Sequence, residues 1–590
     1  MEDERLLRIN LTTGSSRIEQ IDHNFLKSCI GGKGLGTKYL LAELQPRIDP
    51  LGPKNKLFFI CGPLTGSIFP TCNRFGLLFK SPLTGTYAES YSGGSVAKNL
   101  RASGFYMVII EGMARSPVFI HISGENVTIN NANHIWGMDC IETDEYFRSS
   151  LGPEVEIACI GPAGENLVRI ASVQNNKYHS AGRCGPGAVM GSKRLKAIAF
   201  SGTRTPEINK YPEFRDVVQE ALKRIKGNQI LFGKDGMYRI FGTPIIVDWT
   251  NELGCFPTKY YNQGYSDYSE LIGARALNKR ILKERRGCWN CPFTCGKHVQ
   301  VKEGPFTCEV DGPEYETIAN FGGLCDIRDI RAIAKINEYC DRMGIDTISA
   351  GALCSLAIEA KNRGSIEELR ATNLEYNNPL SVLAFLDDIV HLRGLGKDFA
   401  MGTRHVEQKF GLHDFAMHVK GLEFAGYDPR AFRGFALSYG VSPEGPTHLR
   451  STYHVIEREL PLSYENRVIP MIEQEDKMAI LDSLIVCKFI REILDWDFLT
   501  NIYNILFEET KSVQDLRNIA LIMITNSRIF NAREGFSRKD DYLPDRVYRE
   551  PLQRKSGAPH VLDRDQYDRM LDEYYKARGW SRDGIPPTDT

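Results

Sequence analysis

The stretch Ala197-Ile-Ala-Phe-Ser-Gly-Thr-Arg-Thr-Pro-Glu-Ile-Asn-Lys-Tyr-Pro-Glu-Phe-Arg-Asp-Val-Val-Gln-Glu-Ala-Leu-Lys-Arg-Ile225 divides the chain in two. Ala197 to Phe200 is the last of a series of short apolar runs bounded by Gly, Pro, Asn or Ser, the pattern of strands between turns. From Tyr211 to Ile225 apolar residues recur every three or four positions, the period of a helix with one buried face. Upstream, strands are expected at Leu6–Leu11, Leu57–Ile60, Phe75–Phe79, Met107–Ile110, Val118–Ile122, Val155–Ile160 and Val168–Val173. Downstream, helices are expected at Ile327–Met343, Leu380–Leu392, Phe498–Glu508 and Leu516–Ile524. The last forty residues are charged and contain proline, with one helical stretch at Tyr567–Lys576, and should wrap the surface. The expected class is α+β: a β-rich domain over 1–208, then predominantly helical domains over 209–417 and 418–590.

Composition bounds the function. A chain of 590 residues has room for two to three large domains. With 42% hydrophobic and 25% charged residues it is neither disordered, collagen-like nor a coiled coil. Lys+Arg at 73 against Asp+Glu at 74 offers no global attraction for nucleic acid or an anionic membrane. The start, Met1-Glu-Asp-Glu-Arg-Leu-Leu-Arg-Ile-Asn10, has charges where a signal peptide needs an apolar core, and no apolar run spans a bilayer. The odd count of 15 cysteines argues against an extracellular disulfide framework and fits a reducing cytoplasm where some thiolates hold metal.

The strongest local signal is Cys288-Trp-Asn-Cys291-Pro-Phe-Thr-Cys295, after Gly287 and bent at Pro292. Three thiols within eight residues can converge on an iron–sulfur cube, with a distant fourth completing it. The order of gaps, two then three, is the reverse of the radical-SAM arrangement. Cys308 could instead complete a structural zinc site, or the three could be reduced spectators. Spacing does not choose the fourth ligand among Cys308, Cys325, Cys340 and Cys487.

Two glycine-rich stretches look like phosphate loops. Gly31-Gly-Lys-Gly-Leu-Gly36 is not a true G-x-G-x-x-G and no βαβ unit surrounds it, so a nicotinamide site is not expected. Gly187-Ala-Val-Met-Gly-Ser-Lys193 inverts the Ser and Lys of a Walker loop and is one residue short. Both are expected to be turns.

These segments, with Arg8-Ile-Asn-Leu-Thr-Thr-Gly14, Asn73-Arg-Phe-Gly76 through Lys80-Ser-Pro-Leu-Thr-Gly85, Ala181-Gly-Arg183, Gly312-Pro-Glu-Tyr-Glu-Thr317, Thr447-His-Leu-Arg450 and Asp568-Arg-Met-Leu-Asp-Glu-Tyr-Tyr575, resemble the aldehyde ferredoxin oxidoreductase family nearly end to end. That family comprises tungsten- or molybdenum-containing bis-pterin enzymes. The resemblance implies that the N-terminal domain is a base of two sheets holding two pterin dithiolenes, with the helical domains closing over them. It implies Cys288, Cys291, Cys295 and Cys487 as ligands of a four-iron four-sulfur cluster. Asp341 matches a first pterin-binding Asp-x-x-Gly-Leu motif, with Ile345 at its leucine, and Asp482 matches a second, with Ile485 at its glycine. Arg74 matches a basic residue at a pterin phosphate, with Arg183 a second candidate. Tyr91, where the family usually has Asn, and Ala181 match backbone carbonyls that hold a magnesium ion bridging those phosphates.

The implied reaction oxidises an aldehyde to a carboxylic acid, with electrons leaving through the cluster to ferredoxin or a ferredoxin-like iron–sulfur subunit. It needs a base for water and a hydrogen-bond donor that polarises the carbonyl, roles that a carboxylate and a histidine can fill. Glu316 is the candidate base, with Glu314 the register alternative, and His448 is the candidate donor; His454 and Tyr315 are weaker candidates for the pocket wall. Cys325 is expected to be a buried small hydrophobe, although the related benzoyl-CoA reductases place a cysteine on the metal. The stretch Gly254-Cys-Phe-Pro-Thr-Lys-Tyr-Tyr-Asn262 reads like the aldehyde enzymes. Two other readings are a subunit of a larger assembly reducing an acid or an aromatic acyl-CoA, and a non-catalytic metal-binding scaffold. A homodimer is expected only at the family level.

Overall fold

A computed structural model describes residues 4–206, 212–232 and 236–587, the side chains of 231 and 232 excepted. Tyr211, expected to begin a helix, lies outside them. Two six-stranded sheets form the base. The first runs in the order Ser15–Gln20, Arg5–Asn10, Met107–Glu111, Leu57–Ile60, Phe75–Lys80, Tyr87–Ser92. The second runs His179–Ala181, Val173–Asn175, Glu156–Cys159, Leu195–Ser201, Val118–Ser123, Asn126–Asn131. The apolar runs read from sequence supply the central strands; Leu57–Ile60 and Phe75–Lys80 are buried throughout, as a strand covered on both faces requires. The expected strand at Val168–Val173 is corrected. Only Val173 joins a sheet, because Ala171 N–H turns back to Val168 O (2.9 Å) and Ser172 N–H goes to Gly344 O (2.9 Å).

The edge strands Tyr87–Ser92 and His179–Ala181 adjoin. Ser92 Oγ donates to Asn175 Oδ1 (2.5 Å) and Asn175 Nδ2 to Gly93 O (2.8 Å), so one edge of each sheet meets at the same floor.

Both glycine-rich stretches open helices rather than turns. Gly32–Glu43 begins within Gly31–Gly36, and Pro186–Ser192 takes most of the Walker look-alike. The glycines of the first permit close approach. A Cβ at Gly32 would stand 2.4 Å from Asp482 O, and Gly34 N–H donates to Ser483 Oγ (3.1 Å). This helix is seated on the end of Val468–Leu484, the helix that carries Asp482.

Helices Pro212–Gly227, Ile330–Met343, Thr347–Asn362, Pro379–Val390, Trp496–Phe507, Val513–Glu534 and Arg564–Arg578 build the remainder. Within the predominantly helical middle region there is also a three-stranded sheet, Leu282–Arg286, Gly296–Val301 and Cys308–Asp311. The cysteine loop is the connection between its first two strands.

Candidate active site

A cavity of about 340 Å3 is lined by Cys288, Cys291, Cys295 and Cys487 together with Arg74, Tyr91, His179, Glu314, Leu449 and Asp482. Cys487 arrives from the far end of the chain, its N–H on Thr71 O (3.0 Å). Cys308 lies on a strand, where burial pushes its thiol up to about 12, and is absent from the lining, as are Cys325 and Cys340. Among the described residues no three His, Cys, Asp or Glu side chains stand close enough to hold a metal ion; the four thiols border a larger space.

One thiol differs from the rest. Cys288 Sγ accepts from Gly94 N–H (3.3 Å) and faces His179 Nε2 (3.6 Å). Burial opposes its ionisation, but His179 and the Gly94 amide outweigh it and hold Cys288 down to about 6. Burial takes Cys291 up to about 12 and raises Cys295 well above the ordinary thiol range.

Asp482 sits in a buried ionic network. Arg450 Nη1 reaches Asp482 Oδ2 (2.7 Å) and Glu89 Oε1 (2.9 Å), and its Nε reaches Glu444 Oε1 (2.6 Å). Lys488 Nζ also holds Asp482 (2.9 Å), and Lys33 is paired with Glu89. Burial lifts the Glu89 carboxyl, yet Arg450 and Lys33 win and bring it down to about 2. Tyr91 OH donates to Glu89 Oε2 (2.7 Å), while its carbonyl accepts from Arg74 Nη2 (3.4 Å). Asp341 is the contrast. It is buried, accepts from Asn337 Nδ2 (2.9 Å), and has no cation among the described residues. Burial, then Asp311 and Glu338, push its carboxyl well up. Ile345, at the leucine position of that motif, forms an isolated bridge with Ala171, two residues before the strand Val173–Asn175.

The two carboxylates of Glu314-Tyr-Glu316 part company. Glu314 precedes the turn of helix Tyr315–Thr317 in extended conformation. It accepts from Thr243 and lines the cysteine cavity; burial raises it. Glu316, on the turn, accepts from Gly426 N–H (2.8 Å) and has its Oε1 3.3 Å from His448 Nδ1. Those two atoms are inaccessible to solvent and neither has a hydrogen-bond partner. Burial raises Glu316 to about 7, and burial with Arg183 and Lys488 nearby lowers His448 to about 3, so the imidazole is neutral at ordinary pH. His454 and Tyr427 flank the pair, ring centroids 6.3 and 5.7 Å from that of His448. Tyr315 OH donates to Gly426 O. Arg183 stands with this pair rather than with Arg74. Its Nη atoms donate to Pro446 O (2.8 Å) and Glu423 O (2.6 Å), and its buried Nε, which makes no hydrogen bond, is ion-paired with Asp346 Oδ2 at 3.5 Å. Cys325 keeps other company, its thiol donating to Gly351 O (3.4 Å).

One tetrapeptide, Thr447-His-Leu-Arg450, serves all three regions. His448 meets Glu316, Leu449 lines the cysteine cavity, and Arg450 centres the ionic network. His179, Lys33, Glu89, Glu444 and Lys488 escape a reading of the sequence. Lone polar residues in polar or glycine-rich segments carry no sign of burial; Arg450 and Lys33 lie in quoted motifs, but nothing there marks their charges as buried.

The donor set fits the implied groups. Four thiols on one cavity suit a four-iron cluster. A buried carboxylate without a counter-charge at Asp341 calls for N–H donors, and the buried Glu316 Oε1 and His448 Nδ1 are polar atoms left without a hydrogen bond.

Ile485 holds the position where the motif carries glycine. Its φ of 52° and ψ of 53° are left-handed, unfavourable for a β-branched residue by about 1–3 kcal/mol. Its side chain is buried, and it would stand 2.7 Å from a Cβ at Gly32. Truncating a buried Ile costs about 2–5 kcal/mol, more than the strain released. Ile485→Gly is therefore expected to lower the melting temperature by several degrees; a rise would show that strain dominates.

Residues 6–202 match the family described as "Aldehyde ferredoxin oxidoreductase, N-terminal domain", and residues 216–590 match "Aldehyde ferredoxin oxidoreductase, domains 2 & 3". A tungsten-containing aldehyde ferredoxin oxidoreductase of Pyrococcus furiosus is 34% identical over 99% of this chain and 97% of its own. That of Thermococcus kodakarensis is 33% identical with the same coverage. An aliphatic sulfonate oxidoreductase WOR-like subunit of Pyrococcus furiosus is 27% identical over 99% of this chain and 95% of its own. Among solved structures, the active site complex BamBC of benzoyl coenzyme A reductase with 1,5-dienoyl-CoA superposes with a TM-score of 0.84. At 23% identity, covering 99% of this chain and 95% of that one, it shows a shared fold.

Proposed function

The chain belongs to the aldehyde ferredoxin oxidoreductase family, and from that premise we propose that it oxidises aldehydes to carboxylic acids at a tungsten bis-pterin, with ferredoxin as acceptor. It is an oxidoreductase of that class. The observation that carries the reading is the single cavity shared by four cysteines and Asp482. Asp341 and Asp482 would accept from pterin N–H groups, Arg74 would meet a phosphate, and the carbonyls of Tyr91 and Ala181, on the adjoining sheet edges, would hold magnesium. Cys288, Cys291, Cys295 and Cys487 would ligate one four-iron four-sulfur cluster. When bound, the tungsten centre accepts two electrons and the cluster releases them singly.

The overall change converts RCHO and water to RCOOH, two electrons and two protons. The chain's own groups handle the protons and the geometry. Glu316, raised to about 7 by burial, can take a proton near neutrality at Oε1, which makes no hydrogen bond and faces His448 Nδ1. His448, held neutral by burial and the surrounding cations, can orient and polarise the carbonyl without adding a charge. Arg183, fixed by Pro446 O and Glu423 O, keeps positive charge beside the developing carboxylate.

Protein purified without oxygen should contain about one tungsten and four irons per chain and should reduce benzyl viologen with an aldehyde. Zinc alone, or full metal without aldehyde-dependent reduction, would remove this assignment.

A further inference from the structure

We propose that the face around Trp289 is the docking surface for an acidic one-electron carrier protein. The proposal rests on the reading that electrons leave this chain through a cluster held by Cys288, Cys291, Cys295 and Cys487.

The proposed catalytic pair and the aspartates lie inside, whereas the cysteine loop comes to the surface. Lys283 to Gly287, Trp289 and Asn290 form an exposed run interrupted only by Cys288. Trp289 is peptide-bonded to that cysteine, and 39% of its surface is open to solvent. Ile68, 43% exposed, is brought alongside because Asn290 Nδ2 donates to Phe69 O (3.3 Å) and Ser67 O (3.5 Å). Two large apolar side chains over a redox loop have the form of an interface centre, where tryptophan is enriched.

The rim is positive. Lys98 Nζ stands 5.4 Å from the centroid of the Trp289 ring, and Arg285 is exposed on the strand entering the loop. Neither has a carboxylate partner among the described residues. Their neighbours are already matched: Lys283 with Glu309 (2.7 Å), and Arg286 with Glu284 and Asp311 (3.3 Å). Two unmatched cations beside an apolar centre complement an acidic patch on the incoming protein. Charge at a rim governs encounter rate and salt dependence. A small mediator needs no such surface.

The test compares an acidic ferredoxin with benzyl viologen as acceptor, using the metal-loaded enzyme and one aldehyde. Wild type should reduce both, the ferredoxin rate falling as salt is raised. The double variant Lys98→Glu/Arg285→Glu should raise KM for ferredoxin about tenfold or more, with the viologen rate and the cluster's electron-spin signal unchanged. Trp289→Ser should raise the same KM at any salt concentration. An unchanged ferredoxin KM in both variants, with viologen reduction intact, would overturn the docking surface alone. Absence of aldehyde-dependent viologen reduction in wild type would instead overturn the underlying functional reading.

Discussion

Glu316→Gln is expected to lower aldehyde oxidation about 10^2–10^4-fold while leaving tungsten, iron and melting temperature near wild-type values. Glutamine keeps the shape and can still accept from Gly426 N–H, as Glu316 does at 2.8 Å, but its amide cannot take a proton. The wild-type profile should show the same group. Burial raises the Glu316 carboxyl to about 7, and only the ionised form is a base. Below that value kcat/KM should therefore fall about tenfold for each pH unit, and above it should level off. His448 has been lowered to about 3, so it contributes no second inflection near neutrality. Glu314→Gln is the control, because that carboxylate faces the cysteine cavity and Thr243 rather than His448. A Glu316→Gln enzyme with full metal and wild-type turnover would exclude Glu316 as the base.

How much of this was legible in the sequence follows from what each signal measures. Apolar runs report burial, so Leu57–Ile60 was read to the residue. The strand Tyr87–Ser92 was missed because its sequence, Tyr-Ala-Glu-Ser-Tyr-Ser, is polar, although five of its six residues are buried. Glu89 is hidden there by its cations, which no local pattern records. The helix Val513–Glu534 extends well beyond the apolar stretch Leu516–Ile524 for a similar reason. Asn526, Ser527, Arg528 and Asn531 continue it with buried polar side chains, and Arg528 is held by Asp541 (2.8 Å).

The site divides in the same way. Three of the four cysteines announced themselves by spacing, but only folding brings Cys487 to them. Glu314 and Glu316 were indistinguishable because their orientations depend on where a helical turn begins, and Glu314 lies just before it. The glycine-rich Gly31–Gly36 was read as a turn since glycine usually marks one. Here the glycines instead allow a helix to lie against the backbone of Asp482 and Ser483.

Arg450→Met should produce the largest loss of stability. The network contains three cations, Lys33, Arg450 and Lys488, and three carboxylates, Glu89, Glu444 and Asp482. Its charge balances, and removing Arg450 leaves one buried negative charge in excess. Breaking a buried pair this way costs about 3–5 kcal/mol. Lys33 still holds Glu89 and Lys488 still holds Asp482, so the unmatched charge falls on Glu444, whose Oε2 already lacks a partner. Arg450→Met/Glu444→Gln restores balance with two of each sign and should recover more than half of the loss in melting temperature, the non-additivity expected for contacting groups. The pH dependence has a definite sign. Glu89 is held down to about 2 against an ordinary 4.5, so in wild type its stabilising share is present above about 4.5 and disappears as pH falls towards 2. Arg450→Met removes one of the two cations that hold Glu89 down, so the variant has less of this share to lose and acidification should narrow the gap to wild type. A single variant as stable as wild type, or a double variant worse than the single, would show that Arg450 is not the hub of the network.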